Sequence, residues 1–127
     1  RILVLEDEEA LHHVYMRMLQ NLGYDPALVR DGKEVVSIYQ KAQVSGEPFD
    51  AVIMDLTIRG GMGGKEAVQE LLDFDPDARV IVSSGYSNDP VMANFQEYGF
   101  IGVISKPYRL NKMSVVLHQL INNEEPA

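Results

Sequence analysis

The chain lacks cysteine altogether, and it also lacks long apolar runs and clusters of basic residues. The absence of cysteine excludes disulfides, thiolate chemistry and cysteine-ligated metal sites. The longest apolar runs are only a few residues, far short of the roughly 20 residues that span a bilayer. Eleven basic residues against nineteen acidic ones give a net charge of −8. We therefore expect neither membrane contact nor direct nucleic-acid binding from this chain.

The length of 127 residues fits one domain that can bury a proper core, and the apolar fraction of 46% is ordinary for a globular protein. No basic-then-apolar leader precedes the first apolar run, so a cytoplasmic location is expected. The chain starts at Arg1 rather than at Met. This start suggests that residues 1–127 are a single domain excised from a longer multidomain protein.

Short apolar runs alternate five times with amphipathic stretches, which predicts strands followed by helices. The predicted strands cover about Ile2–Leu5, Asp25–Val29, Phe49–Met54, Val80–Val82 and Gly102–Ile104. Four of the predicted helices cover about Glu8–Leu22, Lys65–Phe74, Asp89–Tyr98 and Leu110–Ile121, and another follows Asp31-Gly32. The predicted inner faces of three helices comprise Leu11, Tyr15, Met18 and Leu22; Val35, Tyr39 and Ala42; and Leu110, Met113, Leu117 and Leu120. Apolar strands separated by amphipathic helices indicate a doubly wound α/β domain with a parallel sheet covered on both faces.

Charged or reactive side chains follow four of the five predicted strands. Glu6 and Asp7 follow the first, Asp55 the third, Ser84 the fourth and Lys106 the fifth. The carboxyl ends of parallel strands share one rim, where ligands bind. Carboxylates gathered there repel each other unless a cation relieves them, so a divalent-metal site is the first hypothesis. A carboxylate nucleophile beside a hydroxyl and an ammonium group suits phosphoryl transfer.

Four segments in order, covering essentially the whole chain, resemble the receiver (response-regulator) domain of two-component signalling. They are Ile2-Leu3-Val4-Leu5-Glu6-Asp7-Glu8, Asp55-Leu56-Thr57, Ser84-Gly85 and Lys106-Pro107. The glycine-rich stretch 60–64 and the stretch 83–87 are most similar to receivers fused to hybrid sensor histidine kinases. The resemblance implies a flavodoxin-like (βα)5 fold with strand order 2-1-3-4-5. It also implies that this domain catalyses only its own phosphorylation and dephosphorylation, whereas a hybrid histidine kinase parent would be an enzyme.

The resemblance further implies a role for each rim residue. Asp55 would accept a phosphoryl group from a histidine kinase, in cis or in trans, and a downstream phosphotransfer protein is a further expected partner. Mg²⁺ or Mn²⁺ would be held by Asp7, Asp55 and the backbone carbonyl of Thr57, with Glu6 reaching the metal through water. Ser84 would be the switch hydroxyl and Lys106 the phosphate-contacting cation. The Lys106-Pro107 bond is expected to be cis.

The chain departs from the family pattern at three places. Glu6 stands where Asp is more usual, Arg59 stands where proline is common, and Val103 replaces the aromatic switch residue. Tyr86 or Tyr108 would have to substitute for that aromatic side chain. Ser83 is a competing hydroxyl, and we favour Ser84 because Gly85 follows it and because its spacing to Lys106 fits the family.

The sequence offers two alternatives to a function in phosphorylation. A receiver-like interaction module that works without phosphorylation remains the alternative, because Val103 leaves the aromatic relay incomplete. A flavodoxin-like cofactor binder is disfavoured, since the acidic stretch Glu6–Glu9 would repel a phosphate. The glycine-rich stretch is not a P-loop, because Lys65 is followed by Glu66 rather than Ser or Thr.

The histidines and three of the methionines are predicted to have structural rather than chemical roles. His12 and His13 are predicted on the solvated side of the first helix, paired with Glu8 and Glu9. His118 has a similar interpretation on the last helix. The methionines singled out as packing residues are Met16, Met18 and Met113.

Overall fold

The computed structural model describes residues 1–56, 58, 61–85, 90–106 and 109–121. The strands are β1 (Ile2–Leu5), β2 (Pro26–Val29), β3 (Ala51–Asp55), β4 (Val80–Ser84) and β5 (Gly102–Ser105). The helices are α1 (Glu9–Asn21), α2 (Gly32–Val44), α3 (Gly64–Phe74), α4 (Pro90–Ala93) and α5 (Leu110–Ile121), and a 3₁₀ turn (Phe95–Tyr98) precedes β5. Among the helices described, none has both the length and the apolar character that a membrane crossing requires.

The five strands form one parallel sheet in the order β2-β1-β3-β4-β5, which confirms the predicted doubly wound, flavodoxin-like architecture. Leu5 of β1 pairs with Met54 of β3, so Glu6 and Asp55 are the next residues at the same rim. Asp55 in turn pairs with Ser83 of β4. The register therefore brings the ends of β1, β3 and β4 side by side.

The core lies on both faces of the sheet, because successive strand residues point to opposite sides. On one face, apolar strand residues pack against α2 and α3, and on the other they pack against α1 and α5. The members of β1 and β3 on the first face are Leu3, Leu5, Val52 and Met54. Those on the second face are Ile2, Val4, Ala51 and Ile53. Burial on both sides explains why these strands are apolar throughout.

The predicted helix faces are mostly confirmed, with one error at the start of α5 and two on α1. Val35, Tyr39 and Ala42 of α2 are buried, as are the α5 residues Met113, Leu117 and Leu120. Leu110 is 41% exposed, because it is the first residue of α5 and precedes the turn that packs on the sheet. On α1, Met16 is 37% exposed, whereas Leu19, absent from the predicted stripe, is fully buried. The packing interpretation of Met16 is therefore wrong.

The fourth helical segment differs from the continuous helix predicted over residues 89–98, whose first residue lies outside the described residues. Helix α4 ends at Ala93 and a 3₁₀ turn follows. Asn94, at the break, has φ −116° and ψ 36°, and its side-chain amide donates to the carbonyl of Pro90 at 3.2 Å. The Asn94 backbone N–H donates to the same carbonyl at 3.0 Å, so the side chain adds a second bond at the end of the last turn of α4.

Candidate functional site

Three carboxylates converge at the rim where β1 and β3 end. Glu6, Asp7 and Asp55 each offer one oxygen, and these three oxygens lie within 4.8 Å of one another. Glu6 is 1% exposed and Asp55 is 6% exposed, while Asp7 is half-buried. The pairing of β1 with β3 causes this convergence, because it aligns the last residues of the two strands. The structure thus brings together the acidic residues that the sequence singled out.

Lys106 lies against two of these carboxylates. Its Nζ is 2.5 Å from Glu6 Oε1 and 2.7 Å from Asp55 Oδ2. The Lys106 backbone N–H donates to the carbonyl of Ser84 at 3.0 Å, which fixes the end of β5 against β4. Lys106 follows β5, so its ammonium group reaches across the end of β4. There it contacts Asp55, the last residue of β3, and Glu6, which follows β1.

Burial and pairing act in opposite directions on the charges of this site. Burial raises the pKa of the Glu6 carboxyl above its ordinary value, hydrogen bonds from Lys106 and Glu8 oppose that rise, and the charge of Asp55 adds to it. Burial alone would lower the pKa of Lys106, but hydrogen bonds to Asp55 and Glu6 outweigh it and raise that pKa above its ordinary value. Lys106 is therefore a permanent cation at neutral pH.

The formal charges of the site suit a divalent cation. The three carboxylates and the Lys106 ammonium group together carry a formal net charge of −2. Carboxylate oxygens are the ligands that Mg²⁺ prefers, and Mg²⁺ commonly binds through one or two of them while it keeps several waters. The donor set of Asp7 and Asp55 therefore fits this metal.

Two neighbours of the site, Tyr15 and His12, were not identified as such from the sequence. Tyr15 of α1 is 3% exposed, and burial raises its pKa to about 12, with Lys106 lowering it and Glu6 and Asp55 raising it. The His12 Nε2 donates to the backbone carbonyl of Glu6, and the ring is half-buried. The prediction that His12 lies on the solvated side of the first helix is therefore wrong. One signal was available: His12 lies one turn into α1, where its ring can reach back over the β1–α1 connection.

The two candidate hydroxyls differ in their placement on β4. Ser83 and Ser84 are both buried. Ser83 pairs with Asp55 and shares the strand face of Ile81, whereas Ser84 alternates to the face of Val82 and pairs with Ser105. Through its carbonyl, Ser84 is bonded to the backbone of Lys106. Both serines therefore lie at the rim, and the choice of Ser84 stays a prediction.

The described part of the glycine-rich loop packs closely against the end of β3. A Cβ added at Gly63 would lie 2.5 Å from the carbonyl oxygen of Leu56, too close to be tolerated without movement. Met62 joins the loop to the start of α2: its carbonyl accepts from the Gly32 N–H at 2.8 Å, and its N–H donates to Asp31 Oδ1 at 3.3 Å. Glycine there allows a tight turn beside the Asp55 strand.

Several predicted features involve residues outside those that the structure describes. They are the Thr57 carbonyl, the Arg59 substitution, the Tyr86 and Tyr108 replacements and the cis bond before Pro107. Val103 is described: it is half-buried and packs against the core cluster on the α2 and α3 side of the sheet.

Residues 2–118 match the family model of the response regulator receiver domain. The chain belongs to that family. Among curated proteins, this receiver domain is 27% identical over 124 residues to the sensor kinase CckA of Brucella abortus (strain 2308), covering 98% of the chain and 13% of the kinase. It is 25% identical over 121 residues to the chemotaxis protein CheY of Thermotoga maritima, covering 94% of the chain and 96% of CheY.

Solved structures show the same fold. The receiver domain of the sensor histidine kinase PA1611 from Pseudomonas aeruginosa PAO1, solved with a magnesium ion coordinated in its active site cleft, has a TM-score of 0.83 and 24% identity. The similarity covers 95% of this chain and 96% of that one. Some curated relatives are much longer: the chain spans 13% of CckA and 24% of a putative NtrX-like response regulator from Rickettsia typhi.

Proposed function

We propose that this receiver domain is a phosphoacceptor whose Asp55 takes a phosphoryl group from the phosphohistidine of a histidine kinase. The observation that carries the proposal is the position of Asp55, which lies within 4.8 Å of two other carboxylates and 2.7 Å from the Lys106 ammonium group. A phosphoryl group on Asp55 would thus form beside a fixed cation and a metal-binding cluster. Both are devices that stabilise the charge of phosphoryl transfer.

In the proposed reaction, an oxygen of Asp55 attacks the phosphorus in line. The new O–P bond forms as the P–N bond to the imidazole breaks, and the electron pair returns to the imidazole nitrogen. Lys106 and Ser84 hold oxygens of the transferred group. Asp7, Asp55 and the Thr57 carbonyl would hold Mg²⁺ or Mn²⁺, with Glu6 reaching it through water, and the metal would supply positive charge that offsets the charge of these oxygens. Attack of water on the acyl phosphate restores Asp55.

Phosphorylation is proposed to switch the conformation at the β4 and β5 end of the sheet. The new dianionic group on Asp55 would draw in Ser84, whose carbonyl is bonded to the Lys106 backbone. That movement would shift a two-state equilibrium of α4 and β5. Around Asn94, this segment consists of the short helix α4 and a 3₁₀ turn rather than one continuous helix.

The parent protein and its partners are also part of the proposal. We infer a hybrid histidine kinase parent, for which the similarity to a small part of the CckA sensor kinase is the support. The phosphodonor domain of a histidine kinase, in cis or in trans, would be the first partner, and a phosphotransfer protein the second. A cytoplasmic location fits such a domain.

The alternative function is a phosphorylation-independent interaction module, which Val103 favours because the usual aromatic switch is absent there. The two functions differ in their need for metal. A phosphoacceptor must bind Mg²⁺ in the millimolar range or tighter, whereas a scaffold has no such requirement. Calorimetric titration of the metal-free protein with Mg²⁺ distinguishes them.

The central test is the mass of the protein after incubation with Mg²⁺ and acetyl phosphate. The wild type should gain the mass of one phosphoryl group, and Asp55→Asn should gain none, because the amide has no nucleophilic carboxylate. Asp50→Asn is the matched control, since Asp50 is exposed and is not part of the acidic cluster. An unmodified wild type, or an equal gain in Asp55→Asn, would contradict the proposal.

A further inference from the structure

We propose that Glu6 is a positioning residue that holds the Lys106 ammonium group in place for phosphoryl transfer, rather than a direct ligand of the metal. The inference rests on the proposed phosphoacceptor function and assigns a role to the longer acidic side chain at this position. Its physical basis is that Glu6 has both carboxylate oxygens engaged by groups of this chain.

Glu6 is fixed by three contacts. Its Oε1 lies 2.5 Å from Lys106 Nζ, and its Oε2 accepts the Glu8 backbone N–H at 3.2 Å. Its backbone carbonyl accepts from the His12 ring. The side chain is 1% exposed, so water competes little with these partners. A metal bound directly to Glu6 would have to share an oxygen with the Lys106 ammonium group, whose charge repels it, or with the Glu8 N–H.

The length of the side chain decides which contacts are available. Aspartate at this position would be one carbon–carbon bond shorter, about 1.5 Å. We expect the shorter side chain to lose its contact with Lys106 when it accepts the N–H of Glu8. Glutamate contacts the Lys106 ammonium group and the Glu8 N–H at the same time. Lys106 is therefore held by Glu6 as well as by Asp55.

The contact between Glu6 and Lys106 becomes important once Asp55 reacts. In the unmodified domain, Glu6 and Asp55 share the Lys106 ammonium group, at 2.5 and 2.7 Å. When an oxygen of Asp55 becomes part of the acyl phosphate, that partner changes its charge and shape. Glu6 keeps Lys106 at the site, where the ammonium group can bind an oxygen of the phosphoryl group.

The experiment compares Glu6→Asp and Glu6→Gln with the wild type, each also in a Lys106→Met background. Glu9→Asp is the matched control, because Glu9 is exposed on α1 and its ion pair is with Arg30 at 3.2 Å. Two readouts use the unphosphorylated protein: the NMR signal of the Lys106 ammonium group, and the calorimetric Mg²⁺ affinity. A third is the rate of phosphorylation by acetyl phosphate. Amide NMR spectra check that every variant is folded.

Glu6→Asp should lose the protected Lys106 ammonium signal and phosphorylate about tenfold more slowly, because Lys106 is no longer held. Its Mg²⁺ affinity should stay within about threefold of wild type, because the negative charge is kept and no metal ligand is lost. In the Lys106→Met background, both Glu6 substitutions should change the rate by less than about twofold, since the two residues act as one unit.

Two results would overturn the inference. One is a Glu6→Asp protein that keeps the ammonium signal but binds Mg²⁺ at least about tenfold more weakly or more tightly, as expected for a metal ligand. The other is an equal rate loss with and without Lys106. If the wild type takes up no phosphoryl group, the proposed function fails, and the ammonium signal and the Mg²⁺ affinity still decide how Glu6 acts.

Discussion

Lys106 is the residue on which the charge balance of the site depends. Its ammonium group lies within hydrogen-bonding distance of both buried carboxylates, those of Glu6 and Asp55. Its raised pKa means that the ammonium form persists throughout the neutral range. A buried carboxylate without such a partner would be costly, since the penalty for an unpaired charge exceeds that of an unpaired neutral group. Lys106 therefore stabilises the site before any phosphoryl group arrives.

The two neighbouring serines allow a matched test of the switch hydroxyl. Ser84→Ala should change the rate of phosphorylation or the lifetime of the phosphoryl group by at least about tenfold, because it removes a donor to a phosphoryl oxygen. Ser83→Ala, equally buried and one residue earlier, should change both by less than about twofold. Acetyl phosphate labelling followed by mass spectrometry measures them. A larger effect from Ser83→Ala would transfer the role to Ser83, which the register places beside Asp55.

Tyr15 makes the stability of the domain sensitive to alkaline pH. Burial raises its pKa from 10.0 to about 12, so between these values the folded state keeps a proton that the unfolded state releases. The stabilisation is complete below pH 10 and is lost as pH rises through about 12. Its size is on the order of 2 kcal/mol. Tyr15→Phe should show a shallower alkaline decline in the urea-unfolding free energy than wild type, and identical slopes would contradict this assignment.

At the scale of secondary-structure elements, the loop after β3 is held by α2. Asp31 caps α2 through the Lys33 N–H at 2.9 Å and also accepts from the Met62 N–H at 3.3 Å. One side chain therefore orders both the start of α2 and the loop that follows Asp55. Such a contact connects the position of a helix to the backbone that follows β3, the strand that ends at Asp55.

Gly63 tests how close the loop must come to β3. Gly63→Ala should lower the unfolding free energy by about 1–3 kcal/mol, because the new Cβ would lie 2.5 Å from the backbone oxygen of Leu56. The φ of −87° at this position suits alanine, so backbone strain is not involved. Gly85→Ala is the control: among the described residues, no atom outside its chain neighbours lies within 4 Å of its added Cβ, and a change within about 0.5 kcal/mol is expected. Chemical denaturation measures both, and equal losses would contradict the close-approach argument.

At the scale of the whole molecule, metal binding should be linked to folding. The three carboxylates meet only when β1 and β3 are paired, so the unfolded chain has no equivalent site. Mg²⁺ at 100 times its dissociation constant should therefore add about 2.7 kcal/mol to the unfolding free energy. Thermal unfolding with and without Mg²⁺, at constant ionic strength, measures the shift. Asp7→Asn should abolish it, and chelation with EDTA should return the wild type to its metal-free value.

An undiminished Mg²⁺ shift in Asp7→Asn would contradict the proposed metal site. Na⁺ at matched ionic strength provides the control for screening, because the chain carries a net charge of −8 and any salt reduces its self-repulsion. The specific contribution of Mg²⁺ is the part of the shift that Na⁺ does not reproduce.

The sequence by itself determined the alternation of elements and the kinds of side chain at the rim. Apolar strand runs and amphipathic helices are local patterns, and they indicated the doubly wound fold that the sheet order confirms. The acidic residues after β1 and β3 could be placed at one rim because all strands of a parallel sheet end on the same side. The break at Asn94 was not predicted, since the apolar pattern gives no sign of the non-helical backbone dihedrals of that one residue.

Only the tertiary structure decided which charges pair. Glu6 and Lys106 are 100 positions apart in the sequence, and no local pattern shows that their side chains meet. The same is true of His12, which bonds to the carbonyl of Glu6 rather than lying on a solvated face. Pairing depends on side-chain length, strand register and burial together. For that reason the sequence identified the acidic residues of the site, whereas only the folded structure shows that Glu6 pairs with Lys106.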